Sequence, residues 1–413
     1  MLKIQNFTTR CKTVKLLLER HAMDYVQQLQ QAYRHKNITL YLGAGTSIPN
    51  GLPSWDKLVL AMYFSVIGEQ KMKGWRPLPN YLFAIAEWYL SQHNEPLEIT
   101  VRKLQKYFPQ DSEGQRKFLD TMYKTLYSGL LDESGLPAEN LNRDSLRGGN
   151  PTLDAIAYLC EKSTSSRGIQ SVVTYNYDDF LEISLEGTAT ESIYTSTIPS
   201  LQKLSIYHVH GFIPIRQQLP RSSVDQLVFT ETQYNKVAGD PNHWSNKVQL
   251  STMSNSIGVM IGLSLADRNM RRLLYAAKNE HTHTRNYALL KRDKLSITTD
   301  ALESINDKAI DYMHNFQKSG ANRDFSSSLM GANRAGVKRG MKKKSRAPMR
   351  KTAAPMESGE PRYRYEIRGI IEQVEKLDFE QQEFVMKELG VHPIWYDHHD
   401  EIPEILKQIA HFD

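Results

Sequence analysis

The sequence predicts an α/β fold in which a doubly wound parallel sheet carries helices on both faces. Short runs rich in β-branched residues recur along the chain with helical patterns between them, which favours parallel strands joined by helices. Residues 256–262 are almost continuously apolar, as is typical of a strand covered on both faces. Another β-rich run, residues 38–42, ends abruptly at a glycine-rich segment. This pattern predicts a buried strand followed by a tight turn.

Each predicted element has its own pattern. Helical spacing predicts an extra N-terminal helix over residues 11–36, outside the sheet and available to an oligomer or a partner. A helix is predicted to begin near Ser54, within a large helical insert over about residues 58–160. Residues 131–152, rich in Gly, Pro, Asn and Asp, predict a loop. The predicted strands are residues 38–42, 169–174, 204–209, 226–229, 256–262, 286–290 and 391–396.

This order predicts four segments. The N-terminal helix occupies residues 1–36, and the main domain with its insert occupies residues 37–290. Residues 291–365 are interpreted as a basic, flexible insertion, since they become polar and lose periodicity. Residues 366–413 are expected to complete the domain with a strand and a helix.

Composition excludes several classes of protein. The 413 residues are 40% hydrophobic and 24% charged, which is ordinary for a globular chain. Cys11 and Cys160 can build neither a disulfide framework nor a four-thiolate zinc site. No apolar run has the length of a membrane helix, and the N-terminus has no secretory signal, so we expect a cytoplasmic protein.

The net charge of +6 has a local origin. Residues 325–356 contain nine Lys and Arg residues, between 334 and 351, and no acid, which leaves the rest of the chain at −3. This segment could be a solvated loop, could contact nucleic-acid phosphates or could dock an acidic partner surface. Few aromatic residues lie among the cations, which argues against base stacking.

The glycine loop, residues 43–47, follows the first strand. Glycines and free N–H groups there suit a phosphate. Position 48 is Ile, so the third glycine of a dehydrogenase fingerprint is missing, and no Gly-Lys pair follows as in a Walker A loop. Phosphate binding and a plain tight turn therefore remain alternatives.

Polar side chains follow three later strands. Asn176 and Asp178 end the strand at 169–174, where they either face a ligand or cap the next helix. His208 and His210 follow another strand; they could be a metal pair, or one catalytic base and one structural histidine. After the most buried strand, Gly262 and Ser264 suit a second nucleotide contact, while Asp267 or Asn269 can cap a helix.

The order of these blocks resembles the sirtuin-type NAD-binding domain. The blocks are GAGTS (43–47), GLPSW (51–55), VVTYNYDDF (172–180), YHVHG (207–211), VFTETQY (228–234) and MIGLSLADRNMRRLL (260–274). More narrowly, they resemble the SIR2-like branch of bacterial anti-phage defence proteins. That resemblance implies a Rossmann-like fold and an NAD+ hydrolase. It also implies a homo-oligomer and a HerA-type hexameric ATPase as a partner.

The resemblance also implies roles for individual residues. His210 would be the general base, and Asn176 would orient ribose and water. Asp178 would contact the nicotinamide amide or organise the wall of the site around it. The remaining residues would surround NAD+: Gly43, Ala44, Gly45, Thr46, Thr174, Tyr175, Gly262 and Ser264. Deacetylase sirtuins carry two Cys-x-x-Cys pairs that hold zinc, and this chain has none, so no zinc is expected and protein deacetylation is doubtful.

Two alternatives to NAD+ hydrolysis stay open. The same site could serve a sirtuin-type deacylase or an ADP-ribosyltransferase, in which another acceptor replaces water. The chain could instead be a non-catalytic nucleotide-binding subunit that regulates a defence assembly. Release of nicotinamide, and its dependence on an acceptor, separates the three.

Overall fold

The computed structural model describes residues 25–71, 79–92, 97–132, 134–216, 221–280, 286–292, 298, 303–305, 308 and 362–410. The chain divides into two units, residues 1–292 with 383–413, and residues 293–382. Residues 11–24 of the predicted N-terminal helix and the whole basic segment 325–356 lie outside the described residues.

The first unit contains a seven-stranded sheet in which every pair of neighbouring strands is parallel. Its order is β3-β4-β2-β1-β5-β6-β7, and helices lie around it, so the predicted Rossmann-like α/β fold is confirmed. The strands are β1 (Ile38–Leu42), β2 (Ile169–Thr174), β3 (Thr190–Ile193), β4 (Leu204–His208), β5 (Ile257–Ile261), β6 (Asn286–Lys291) and β7 (Val391–Tyr396).

One strand was not predicted, and one predicted strand was wrong. Thr190–Ile193 was missed because this polar edge strand pairs only with β4 and lacks the apolar run of a central strand. Residues 226–229 do not form a strand: Val224–Gln226 is a 3-10 turn, and Phe229 is buried against Trp55 and Phe118. Their apolar character serves packing under a loop.

Helices fill the insert between β1 and β2, as the pattern predicted. The predicted loop at 131–152 is partly wrong, because Asn142 and Asn150 are N-caps that start two helices there. The helices of the described residues are α1 (25–34), α2 (Trp55–Lys71), α3 (Pro79–Gln92), α4 (Leu97–Gln105), α5 (Ser112–Leu126), α6 (Arg143–Gly148), α7 (Pro151–Glu161), α8 (Phe180–Ser184), α9 (Glu231–Gly239), α10 (Trp244–Asn255), α11 (Arg268–Glu280), α12 (Arg362–Glu388) and α13 (Glu401–Ala410).

Alternating residues of the central strands enter two separate cores. Leu40 and Val172 belong to one apolar cluster, whereas Tyr41 and Val173 belong to the other. Both faces of the sheet are therefore covered, as parallel sheets require. In the part of the chain that the structure describes, no helix combines the length and the apolar character needed to cross a bilayer.

The order of the strands determines where a ligand would bind. The chain runs from β1 to one edge of the sheet through β2, β3 and β4, and returns to the other side of β1 as β5. This change of direction is a topological switch point, and ligands of such sheets bind outside the carboxyl ends of the strands there. Leu42 is in register with Thr174 and Ile261, so the segments after these strands leave the sheet together.

Candidate active site

The glycine loop packs directly on the segment that follows β5. Gly45 N–H donates to Gly262 O over 3.0 Å. A Cβ on Gly45 would lie 2.7 Å from the Gly262 Cα, and one on Gly262 would lie 2.7 Å from the Thr46 nitrogen. Gly262 also has a φ of 66°, which favours glycine. The glycines are thus required by the contact between these two segments.

Most backbone donors of the glycine loop are already used by the protein. Gly43 N–H donates to Ile261 O, Thr46 N–H to Gly43 O and Ser47 N–H to Ala44 O. Only the Ala44 N–H has no hydrogen-bond partner among the described residues. The loop therefore offers a ligand a close approach and one free N–H, rather than a cradle of several.

Asn176 reaches this loop from the end of β2. Its Nδ2 lies 3.1 Å from Gly43 O, from Thr46 Oγ1 and from Ser47 Oγ. These contacts fix the amide plane, since its nitrogen end is held on the loop. Its Oδ1 has no partner among the described residues and stays available as a hydrogen-bond acceptor. Asn176 does not cap the following helix.

Asn150 supports the loop from the other side and was missed by the sequence reasoning. Its side chain is fully buried and donates to Thr46 O over 2.8 Å and to Asn50 Oδ1 over 2.6 Å. Its Oδ1 accepts from Leu153 N–H as the cap of α7. The available signal was the pair Asn150-Pro151, which marks a helix start. This pair lies within the predicted loop at 131–152.

Asp178 is buried two residues after Asn176. Its Oδ1 accepts from the Phe180 N–H over 3.1 Å, so it supports the start of α8. Burial raises the pKa of Asp178 to about 6, although the Phe180 N–H and the Ser47 hydroxyl oppose the shift. Burial likewise raises the pKa of Asp179 to about 6. Asp178 is 7% exposed, which leaves it little surface for a direct ligand contact.

His208 is fully buried, and both of its ring nitrogens have partners. Nε2 lies 2.7 Å from Glu182 Oε1, and Nδ1 lies 3.3 Å from the backbone oxygen of Asn176. Burial disfavours the charged ring, but the Glu182 carboxylate outweighs it and raises the pKa of His208. A ring occupied in this way fits the interpretation of one structural histidine.

His210 lies two residues away in different surroundings. It is half-buried, and its ring packs edge-on against Tyr175 with 5.0 Å between centroids. Its ring nitrogens have no hydrogen-bond partner among the described residues. Burial lowers the pKa of His210, and the negative charge of Asp267 partly opposes this. The imidazole is therefore neutral at pH 7 and can accept a proton.

The other predicted binding residues surround these groups. Thr174 is buried, and its hydroxyl accepts from the Asn176 N–H over 3.1 Å. The Tyr175 hydroxyl donates to Gln249 Oε1 over 2.6 Å. Ser264 is exposed, and its hydroxyl accepts from a backbone N–H two residues on.

Asp267 is the cap of α11. Its Oδ1 accepts from the Met270 N–H over 2.6 Å and from the Tyr234 hydroxyl over 3.5 Å. The Asn269 side chain instead bonds to Asn246 and Arg272. Of the two predicted cap residues, Asp267 makes the bond.

A cleft of about 230 Å³ lies outside the group of predicted site residues, none of which lines it. Leu227 and Val228 form part of its wall, and the Val228 N–H donates to His210 O over 2.9 Å. The aromatic rings of Tyr194 and Trp244 also line it. Within the described ranges, no group of three His, Cys, Asp or Glu side chains is arranged to hold a metal ion.

The comparison with known families agrees with this geometry. The model of the SIR2-like domain family matches residues 170–313. The match includes Asn176, His208, His210 and Gly262, while the glycine loop precedes it. Because SIR2-like domains bind NAD, the match indicates an NAD-dependent activity. No curated protein matches the chain.

Proposed function

We propose that the chain is an NAD+ glycohydrolase that cleaves the nicotinamide–ribose bond and releases nicotinamide and ADP-ribose. The observation that carries this proposal is a pair of unused groups at the ends of neighbouring strands. Asn176 Oδ1 and the ring of His210 have no hydrogen-bond partner among the described residues. In a SIR2-like domain, an NAD molecule is the substrate that such groups would meet.

The chemistry explains why an amide and an imidazole would suffice. Nicotinamide leaves as a neutral group, and positive charge develops on the ribose, as in glycoside hydrolysis. The protein must hold the ribose and present a nucleophile to C1′. The glycine loop holds the amide nitrogen of Asn176, and Asn176 Oδ1 would accept a hydrogen bond from water or a ribose hydroxyl. His210 would take the proton released by that nucleophile.

Other residues would bind the rest of the dinucleotide. The pyrophosphate would lie against the glycine loop, where the Ala44 N–H is free and the glycines allow a close approach. Ser264 would contact the adenosine half from the segment after β5. Asp178 would organise the nicotinamide wall from beneath, since its carboxyl is buried.

The proposal is tested by incubating the purified protein with NAD+ and measuring nicotinamide release. We expect Asn176→Ala to lose release by about 10²-fold while the protein stays folded, because the reacting groups lose their alignment. Ser264→Ala, at an exposed position, is expected to raise KM more than it lowers kcat. Binding of NAD+ without cleavage would instead favour a nucleotide-sensing subunit.

A second candidate is an ADP-ribosyltransferase or deacylase. The same site would serve, with an acceptor other than water attacking the ribose carbon. Nicotinamide release that depends on an added acceptor would support transfer, and release in buffer alone would support hydrolysis.

In a cell, NAD+ depletion by such an enzyme would act in bacterial anti-phage defence. We propose a homo-oligomer that pairs with a HerA-type ATPase and uses the segment 1–36 as a partner surface. Co-purification with and without residues 1–24 tests this. A contact of residues 334–351 with nucleic acid would show DNA binding that weakens as salt rises.

A further inference from the structure

A buried pair of charged groups lies behind the candidate site. We call Glu182 and His208 the buried pair; their side chains are 9% and 0% exposed, and the two contacting atoms lie 2.7 Å apart. Ser192 of β3 also donates to the same Glu182 oxygen over 2.7 Å. The pair thus joins α8, β3 and β4 beneath the end of β2.

The geometry of the two ring nitrogens determines the protonation of His208. One nitrogen faces the Glu182 carboxylate oxygen, and the other faces the backbone oxygen of Asn176. Both partners are acceptors, and a neutral imidazole has a single N–H. Only the doubly protonated ring donates to both. The lowered pKa of Glu182 and the raised pKa of His208, in which their mutual attraction outweighs burial, agree with an ion pair.

The buried pair is not arranged for maximal stability. Glu182 Oε2 is buried and has no hydrogen-bond partner among the described residues. A buried ion pair of this kind commonly adds less stability than apolar residues of equal size. Its contact with the Asn176 backbone therefore calls for another explanation.

That contact bears directly on the proposed site. His208 holds the Asn176 carbonyl, Thr174 Oγ1 holds the Asn176 N–H, and the glycine loop holds the Asn176 amide nitrogen. Without the hydrogen bond from His208, the peptide group that carries the Asn176 carbonyl is held less firmly and can rotate. A displacement of about 1 Å at a reacting group can lower a rate by about 10²-fold.

We propose that the buried pair is a positioning device, in which His208 donates to the Asn176 carbonyl and so aims the Asn176 amide oxygen at the reacting ribose. This rests on the proposed function. His208 does not touch the substrate. When the His208 ring loses a proton, it no longer donates to the Asn176 carbonyl. Activity should therefore fall as the pH rises.

Other charged groups surround the pair and enter its pH dependence. The buried carboxyls of Asp178 and Asp179 lie beside it, and Arg216 lies near Asp179. The Tyr127 phenol faces the same acids, and burial raises its pKa. The acids are on the carboxylate side of their pKa values above pH 6, so His208 is the group among these that changes charge as the pH rises from neutrality.

Two variants separate positioning from simple stability. The double variant Glu182→Leu with His208→Phe removes the donor without leaving a buried charge, and we expect kcat to fall by about 10²-fold with little change in KM. Glu182→Gln keeps the donor, because its amide can donate to Nε2 while a neutral ring donates to Asn176. We expect it to retain most activity and to lose the alkaline decline. Tyr33→Phe, which loses a buried hydrogen bond to Leu159, is the stability control.

Nitrogen-15 spectra of the histidine rings and of the Asn176 amide give a readout without turnover. We expect a doubly protonated His208 at neutral pH and a shifted Asn176 amide signal in the double variant. A singly protonated His208, an unshifted amide, or a double variant with wild-type kcat would overturn the proposal, as would Glu182→Gln as inactive as the double variant. If the wild type cleaves no NAD+, the proposed function fails, and the spectra still decide the positioning role.

Discussion

His208 and His210 are two residues apart, yet their surroundings are opposite. His208 is fully buried, and both of its ring nitrogens face oxygen acceptors. His210 is half-buried against an aromatic ring, and its nitrogens have no partner among the described residues. Because Glu182 raises one pKa and burial lowers the other, one ring is charged and the other neutral near pH 7. The neutral ring is suited to accept a proton, and the charged ring to hold a position.

The largest expected effect comes from removing the unpaired ring. His210→Ala should lower nicotinamide release by about 10²–10⁴-fold, since a positioned general base contributes about that much. Thermal unfolding should change little, because no hydrogen bond to the ring is lost. His398→Ala, at an exposed histidine before α13, is the matched control. If His210→Ala released nicotinamide as fast as the control, His210 would not be the base.

The next effect tests the glycine loop that holds the Asn176 side chain. Gly45→Ala should lower the free energy of unfolding by about 1–3 kcal/mol, because its Cβ would meet the Gly262 backbone at 2.7 Å. Chemical denaturation measures this. Gly239→Ala has open space around it and should cost far less. If the two variants were equally stable, the glycine loop would not be in close contact with Gly262.

The pH dependence of release compares the two histidines in one experiment. Burial lowers the pKa of His210 below its ordinary 6.5, so protonation should lower the rate by about tenfold per pH unit on the acid side of that lowered value. His208, whose pKa is raised, should limit the alkaline side.

Burial raises the pKa of Asp178 to about 6, so protonation of its carboxyl would also lower the rate on the acid side. The variant Asp178→Asn separates the two groups. If His210 causes the fall in rate at low pH, the fall should persist in this variant. If the fall is lost, Asp178 causes it.

The smallest effect concerns the ring that His210 packs against. Tyr175→Phe keeps the aromatic contact and removes the hydrogen bond to Gln249. We expect stability to fall by about 0.5–1.5 kcal/mol and kcat to stay close to that of the wild type. A large loss of kcat, measured on fully folded Tyr175→Phe protein, would indicate that the Tyr175 hydroxyl takes part in the reaction.

The sequence predicted the central strands because their apolar residues enter two cores. β1, β2 and β7 have the predicted bounds, whereas the polar edge strand β3 has no such signal. Residues 226–229 misled the prediction, since apolar residues under a loop resemble a short strand. An apolar pattern indicates that residues are buried, but a buried residue need not lie in a strand that pairs with another.

The placement of the candidate site residues was predictable where they follow strands, and less so where distant residues support them. The positions of Asn176 and His210 at strand ends were readable in the sequence. Asn150 and Glu182 act across 104 and 26 residues of chain, and no local pattern reveals such contacts. A lone acid inside the apolar run of α8 was the one hint that Glu182 has a buried partner.

The most direct test of the account is to measure the nicotinamide and the ADP-ribose that the wild type and two variants form from NAD+ without an added acceptor. If Asn176 and His210 direct water to C1′, the wild type forms the two products in equal amounts, and Asn176→Ala and His210→Ala form almost none. Nicotinamide release without ADP-ribose, or formation of both products by both variants at the wild-type rate, would contradict it.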